Sequence, residues 1–417
     1  MFENISCCRI CGSDGLNKVF DLGNLVSCGI FPAADAPDPA AMPLEVMQCT
    51  SCGLVQLRHN FHQDELFRHS YGYRSGINEA MRAHLQSVVA SVCRRVALRD
   101  GDIVLDIGSN DGTTLSFYRN PKLLRVGIDP TIDNFKQYYD PEIFTLADFF
   151  SHENFRTVMP SGKARVITSI AMFYDLPDPN AFVDDIRRVL DEDGVWVVEQ
   201  SYLPTMVETS SFDTICHEHL EYYGLGQIVR LVERNGLRVI DASLNDVNGG
   251  SFQVSVCHQG APFGCNDRAI NALLDREKGE GYLGSAPFER LKKQVSQVRD
   301  SVMGFLQQAK SNAQLVHGYG ASTKGNTLLQ HFGISADLLP AIAERNANKF
   351  GCRTPGTRIP IISEEASRAQ HPDYYFVLPW HFRQGFVARE RTFLEGGGKL
   401  VFPLPRFEIV TSNDLPG

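Results

Sequence analysis

The sequence predicts an α/β protein in three parts: a small metal-stapled N-terminal domain, a doubly wound parallel sheet with a cofactor loop, and a second, smaller α/β domain. Three observations carry this. Cys8-Arg-Ile-Cys11 and Cys49-Thr-Ser-Cys52 are two Cys-x-x-Cys pairs, each followed directly by glycine. Apolar runs then alternate with amphipathic stretches, at Ile103–Ile107, Val126–Asp129, Val166–Ile170, Val195–Val198 and Leu237–Ile240. After a charged, heptad-like stretch containing Phe288-Glu-Arg-Leu-Lys-Lys-Gln-Val the strand pattern restarts at Leu315–Gly320, Leu339–Ala343, Tyr375–Leu378 and Leu400–Leu404.

The first segment, residues 1–75, is rich in Pro, Gly and Cys and has only short apolar runs such as Leu54–Leu57. A core that thin needs a staple, and four thiolates in two knuckles wrap one zinc ion tetrahedrally. Cys8, Cys11, Cys49 and Cys52 are the ligands, since Cys7 breaks the x-x spacing; with all four positions filled by protein the zinc is structural. The second segment, residues 76–260, holds the parallel sheet. The third, residues 261–417, follows a linking helix at about 283–312 and is the second α/β domain.

Bulk properties narrow the function. The chain has 417 residues, 43% of them hydrophobic, and carries 40 basic against 49 acidic residues, a net charge of −9. That balance, with no Lys/Arg-rich block, argues against nucleic acid as a partner. Met1-Phe-Glu-Asn-Ile-Ser has neither a basic nor an apolar leader region, and no run of about 18 apolar residues occurs, so no membrane association and a cytoplasmic location are expected. Eleven cysteines in a reducing compartment read as zinc ligands plus buried thiols.

Asp106-Ile-Gly108-Ser-Asn110-Asp111-Gly112 follows a buried strand and precedes a helical pattern, the context of a nucleotide or S-adenosylmethionine loop. Asn110, at the middle glycine's position, is the non-glycine residue that best tolerates positive φ. Asp129 ends the next strand, where a carboxylate accepts ribose hydroxyls, and Asp148 with Phe149 follows the third, where an acid and an aromatic read adenine. Methyl transfer fits better than hydride transfer, because no Gly-x-Gly-x-x-Gly stands at this first turn.

His217-Glu218-His219, followed by Leu-Glu-Tyr222-Tyr, gathers imidazoles, carboxylates and phenols at the carboxyl end of the sheet, where ligands bind. Adjacent spacing without a third ligand does not make a metal triad. Tyr71-Gly-Tyr73-Arg-Ser75-Gly76, at the junction of the first two segments, reads as a lid or as an aromatic plug. Asn248-Gly-Gly is a β-turn or a substrate loop. In the third segment Gly318-Tyr319-Gly-Ala-Ser322-Thr-Lys324-Gly opens a helix after a strand, a candidate phosphate cradle, and Trp380-His381 ends a later strand, available to stack a base.

Taken in order, these motifs resemble the three-domain, zinc-containing sugar C-methyltransferases that use S-adenosylmethionine, enzymes of deoxysugar biosynthesis. The residues that carry the resemblance span essentially the whole chain, and Phe212-Asp-x-Ile-x-x-Glu-His219 beside the zinc module is the most specific of them. The resemblance implies a class I methyltransferase core with a Rossmann-like C-terminal domain that helps hold a nucleotide-linked sugar. It implies methylation at carbon 3 of a 4-keto-deoxysugar, with His219 as general base, Glu218 its active-site neighbour and Tyr73 a phenol close to the reacting centre. Cys216 stands where some relatives have tyrosine, and Asp175 where some have histidine.

The chemistry follows independently. Carbon attacks a sulfonium methyl only as an enolate, so a base must remove the proton α to a ketone and donors must meet the oxyanion. Those roles fall to His219, with Glu218 orienting it, and to Tyr73 and Tyr222 near the sugar oxygens. A zinc-ribbon RNA methyltransferase and a noncatalytic S-adenosylmethionine-binding scaffold are the competing readings, and a monomer or weak homo-oligomer is expected.

Overall fold

The computed structural model describes residues 2–67 and 73–415; Tyr71 and Gly72 of the glycine-framed junction lie outside them. The N-terminal domain is built from β1 (Phe2–Asn4), β2 (Leu16–Val26), β3 (Ala41–Cys49), β4 (Val55–Leu57) and β5 (His59–Phe61). Strands β2, β3 and β4 form an antiparallel meander, and β1 pairs with β5. The last four residues of β3, Val46 to Cys49, are all buried, so both faces of the sheet are covered at that end.

The central domain contributes β6 (Ile103–Ile107), β7 (Leu124–Ile128), β8 (Phe144–Leu146), β9 (Ala164–Ile170), β10 (Leu190–Ser201), β11 (Glu221–Tyr222), β12 (Leu237–Asn245) and β13 (Ser251–His258). Seven of them form one sheet in the order β12-β13-β10-β9-β6-β7-β8. Neighbours among β6 to β10 run parallel, while β13 lies antiparallel to both β10 and β12. Every residue of β6 is buried, the mark of a strand covered by helices on both faces. The order reverses at β6, so its carboxyl end opens a crevice at a switch point.

β11 leaves this domain. It joins the N-terminal sheet beside β4, with Glu221 opposite Gln56 and Tyr222 opposite Val55, and the Leu57 amide donates to the Leu220 carbonyl at 2.8 Å. The strand that runs out of His219 is thus an edge of the zinc domain's sheet.

The C-terminal sheet has β14 (Val316–Tyr319), β15 (Ile342–Glu344), β16 (Ile361–Ser363), β17 (Tyr374–Val377), β18 (Lys399–Phe402) and β19 (Glu408–Val410), in the order β16-β15-β14-β17-β18-β19. All neighbours are parallel except β19. The expected linking helix is Ala286–Ser311, whose stripe Phe288, Leu291, Val295, Val298, Val302 and Leu306 is buried at three- and four-residue spacing. That stripe welds the domains: one hydrophobic core runs from Val19, Phe20 and Val46 through the helix to Ile342, Phe376 and Val401. The cysteine knuckles belong to a second core shared with the central domain, where Ile10 and Leu54 pack with Ile186 and Leu231.

Candidate active site and zinc centre

The Sγ atoms of Cys8, Cys11, Cys49 and Cys52 all lie within 4.8 Å of one another. Tetrahedral zinc with Zn–S bonds near 2.3 Å sets sulfurs about 3.8 Å apart, so the cage fits the ion. Gly12 and Gly53, at φ 73° and 76°, turn the chain after each pair, and the Ser51 amide points at Cys49 Sγ from 3.4 Å. Arg9, inside the first knuckle, is buried and donates to the carbonyls of Leu57 and His59 at 2.7 and 3.0 Å. Its Nε also lies 3.4 Å from the Glu221 carboxylate, itself inaccessible to solvent. The knuckle is therefore tied to β11 by charge as well as by pairing.

At the carboxyl end of β6, Gly108, Asn110 and Gly112 all take positive φ, at 71°, 51° and 75°. A Cβ on Gly108 would come within 2.9 Å of Met172, so a bare backbone is required there. The Asp129 carboxylate accepts from the Asn110 amide at 2.8 Å and from Thr131 N and Oγ1 at 2.6 Å each, and it lines the cleft. Phe149 lines it too; Asp148 does not, its Oδ1 accepting from the Phe149 amide at 2.9 Å. A short carboxylate turned back onto its own backbone is a local turn device.

Asn110 and Asp111 have a task the motif did not disclose. The Asn110 carboxamide accepts from the Ser75 amide at 2.9 Å and donates to the Tyr73 carbonyl at 3.0 Å. Asp111 accepts from the Gly76 amide at 2.9 Å and from Thr113 Oγ1 at 2.6 Å. A Cβ on Gly76 would stand 2.5 Å from Asp111 Oδ2. The loop thus clamps residues 73–76 over the cleft, which Tyr73 and Ser75 line. Tyr73 is 47% exposed overall, but desolvation where it lines the cleft still raises its phenol pKa, keeping its proton available to donate.

His217 and His219 part company. His217 is fully buried against the zinc domain, its Nε2 3.2 Å from the Met42 carbonyl and its ring edge-on to Phe61. His219 faces the cleft. Its Nδ1 lies 2.7 Å from the Thr214 carbonyl, which only an N–H can satisfy, so Nε2 is left with its lone pair. The Tyr174 ring packs 4.3 Å away. Burial, with the Lys324 charge adding, pulls His219 down to about 4; neutral imidazole is the resting form.

Glu218 does not orient His219; Thr214 does. Burial raises the pKa of the Glu218 carboxyl, with the nearby Cys216 thiol and Gly29 amide opposing the shift. A Cβ on Gly29 would meet Glu218 Oε1 at 2.5 Å, so any larger residue there would displace the carboxylate, a constraint that nothing in the local pattern signals. Asp175 lines the same wall, and burial beside Glu218 and Glu221 holds it well above the ordinary carboxylate range. Tyr222 is absent from the cleft wall: as part of β11 its side chain points behind His219, walled by Met206, Leu203 and Tyr174.

The C-terminal loop also differs from the phosphate cradle expected of it. Ser322 Oγ caps its own helix by accepting from the Gly325 amide at 3.0 Å, and the Ala321 amide is taken by Glu344 at 2.7 Å. Lys324 reaches the Asn248 carbonyl at 2.6 Å. The Tyr319 hydroxyl donates to Glu390 at 2.7 Å. Trp380 is buried, its indole N–H donating to Asp213 at 2.8 Å, so it is not free to stack a base. Tyr319, Ser322, Lys324, His381 and Asn248 still line the cleft. Its volume of about 1240 Å³ exceeds the roughly 300–1,000 Å³ that accommodates one ligand.

Comparison with known proteins matches this arrangement part by part. Family models match a zinc binding domain at residues 8–67, a methyltransferase domain at 81–242 and a C-methyltransferase C-terminal domain at 246–405. Over 408 residues the chain is 31% identical to the C-methyltransferase NovU of Streptomyces niveus, covering 97% of each. The chain belongs to this C-methyltransferase family. Among solved structures, magnesium protoporphyrin IX methyltransferase from Synechocystis PCC 6803 is 12% identical, with 43% of this chain and 79% of that one covered at a TM-score of 0.32. Plantazolicin methyltransferase BpumL is 12% identical, with coverage of 43% and 86% and a TM-score of 0.34.

This C-methyltransferase is S-adenosylmethionine-dependent, and its own residues suit the cofactor: the bare positive-φ loop, Asp129 beyond the second strand and Phe149 beyond the third edge one lobe of the cleft. The C-terminal model begins at residue 246, ahead of β13, although β13 completes the central sheet. No helix among the described residues is long and apolar enough to cross a membrane.

Proposed function

We propose that this C-methyltransferase acts on a nucleotide-linked 4-keto-deoxysugar, methylating carbon 3 beside the ketone through an enolate. The observation that carries the reading is His219: a neutral imidazole with Nδ1–H spent on Thr214 and Nε2 open to a cleft bordered by all three domains. Such a group removes a proton α to a carbonyl; the C–H electron pair moves to the ketone oxygen and the proton to Nε2. General-base assistance of this kind contributes about 10²–10⁴-fold. S-adenosylmethionine supplies the methyl group on a sulfonium and leaves as the neutral thioether.

The chain's other residues bind and exclude. Tyr73, clamped by Asn110, brings a phenol proton to the sugar side, and His381 and Ser322 border the end where a nucleotide extends. A cleft larger than one ligand needs supports two bound together. The net charge of −9 weighs against the competing RNA reading.

The test is incubation with S-adenosylmethionine and a panel of nucleoside-diphosphate-linked 4-keto-6-deoxy sugars in heavy water, reading methyl mass and deuterium at the carbon beside the ketone. His219→Asn should abolish both and leave cofactor affinity near normal. Retained turnover in that variant refutes the assignment.

A further inference from the structure

The Asn248-Gly-Gly turn, Trp380, Asp213 and Lys324 converge on one point. Asn248, Gly249 and Gly250 take φ of 55°, 89° and 116° in succession, a run that presents the Asn248 carbonyl to the Lys324 ammonium at 2.6 Å. Neither glycine admits a side chain. A Cβ on Gly250 would stand 2.1 Å from Thr205 Cγ2, and one on Gly249 would stand 3.2 Å from the Trp380 ring. Trp380 in turn holds the buried Asp213 carboxylate by its indole N–H, leaving Asp213 Oδ1 without a hydrogen-bond partner. Asp213 is the carboxylate whose charge acts on Lys324.

An ammonium has three donors, and one is spent on Asn248. The side chain borders the cleft together with His219, His381 and Cys216, and its charge is felt by both imidazoles. A lysine placed to bind a solvated phosphate would not need a strained turn, an indole and a buried carboxylate to hold it. These devices fix one cation on the wall of the cleft that His219 also lines, and negative charge appears in that cleft when the base acts.

The geometry points to Lys324 as the group that stabilises the enolate oxygen, held in place by the Asn248 carbonyl and by Asp213 through Trp380. This rests on the enolate reading above. When His219 takes the α-proton, the electron pair settles on the ketone oxygen, and a free N–H of Lys324 donates to it; no proton need leave the ammonium. Because the cation comes from the C-terminal domain and the base from the central domain, the two halves of the proton-transfer step assemble only across the domain interface. That gives the Asn-Gly-Gly turn, Trp380 and Asp213 positioning roles.

The experiment compares wild type, Lys324→Met and Trp380→Phe, using a thymidine-diphosphate-linked 4-keto-6-deoxyhexose in heavy water without S-adenosylmethionine. Loss of an oxyanion donor costs about 10²–10³-fold, so Lys324→Met should lose deuterium exchange by that factor while KM for the sugar changes little. Trp380→Phe, which frees Asp213, should lose less. A second, substrate-free arm follows the His219 titration by NMR. His219 packs on the Tyr174 ring and shares the cleft with Lys324, Cys216, Glu218, Asp175 and His381, and removing the lysine charge should raise its midpoint. Exchange undiminished in Lys324→Met, a loss confined to KM, or an unmoved His219 midpoint each overturns the role of Lys324. If wild type exchanges no deuterium into any sugar of the panel, the enolate reading itself falls, and Lys324 with it.

Discussion

A single carbonyl, that of Thr214, assigns the tautomer of His219, and the tautomer makes it a base. The protonation state follows from burial. With a folded pKa near 4 against about 6.5 for a free imidazole, the native state binds fewer protons than the unfolded chain between those values. Stability from this group is therefore complete above about pH 6.5 and is lost as pH falls toward 4. Activity shares the direction, since the neutral form is the competent one. Deuterium exchange should persist at about pH 5.5, measured by NMR of the sugar; an acid limb with its midpoint at the free-histidine value would mean that His219 is solvated like a surface side chain. At this scale the sequence marked His219, Asn110 and Asp129 by motif. It could not mark Gly29 or Thr214, because their significance lies in contacts with chemistry far along the chain or in a backbone oxygen.

Among elements, β11 has the least sequence signal and the largest consequence. Two residues long, it is too short for any periodicity to announce, yet it welds the His219 loop to the zinc domain. Arg9 secures it. Its guanidinium satisfies the Leu57 and His59 carbonyls, and leaving a buried acceptor unpaired costs about 1–3 kcal/mol. Arg9→Met should therefore lower stability by an amount of that order, read as a fall in denaturant midpoint with cofactor binding retained. The long helix is legible for the opposite reason: its heptad-like stripe runs from Phe288 to Leu306, about five turns. The phosphate cradle expected at Gly318–Gly325 had the correct glycines and helix start, but Glu344 takes its Ala321 amide and the Asn248 turn takes one of the three lysine donors, both from outside the motif.

Across the whole molecule, the zinc centre stands behind the active site and not within it. The four sulfurs hold the knuckle, the knuckle carries Arg9, and β4 carries β11 and so His219. Stripping the metal with a chelator should abolish methyl transfer and lower the melting temperature while leaving S-adenosylmethionine affinity largely intact, since the cofactor loop hangs on β6 in a different sheet; calorimetry of cofactor binding to the stripped protein checks it. The alternation of apolar runs, the Cys-x-x-Cys spacing and the glycine-rich turns were determined by sequence alone, because each depends on residues a few positions apart. Only the tertiary structure decided that the zinc domain buttresses His219 and that Lys324 of the C-terminal domain borders the same cleft as His219. Those facts depend on packing between segments more than a hundred residues apart, where no local period or spacing leaves a trace.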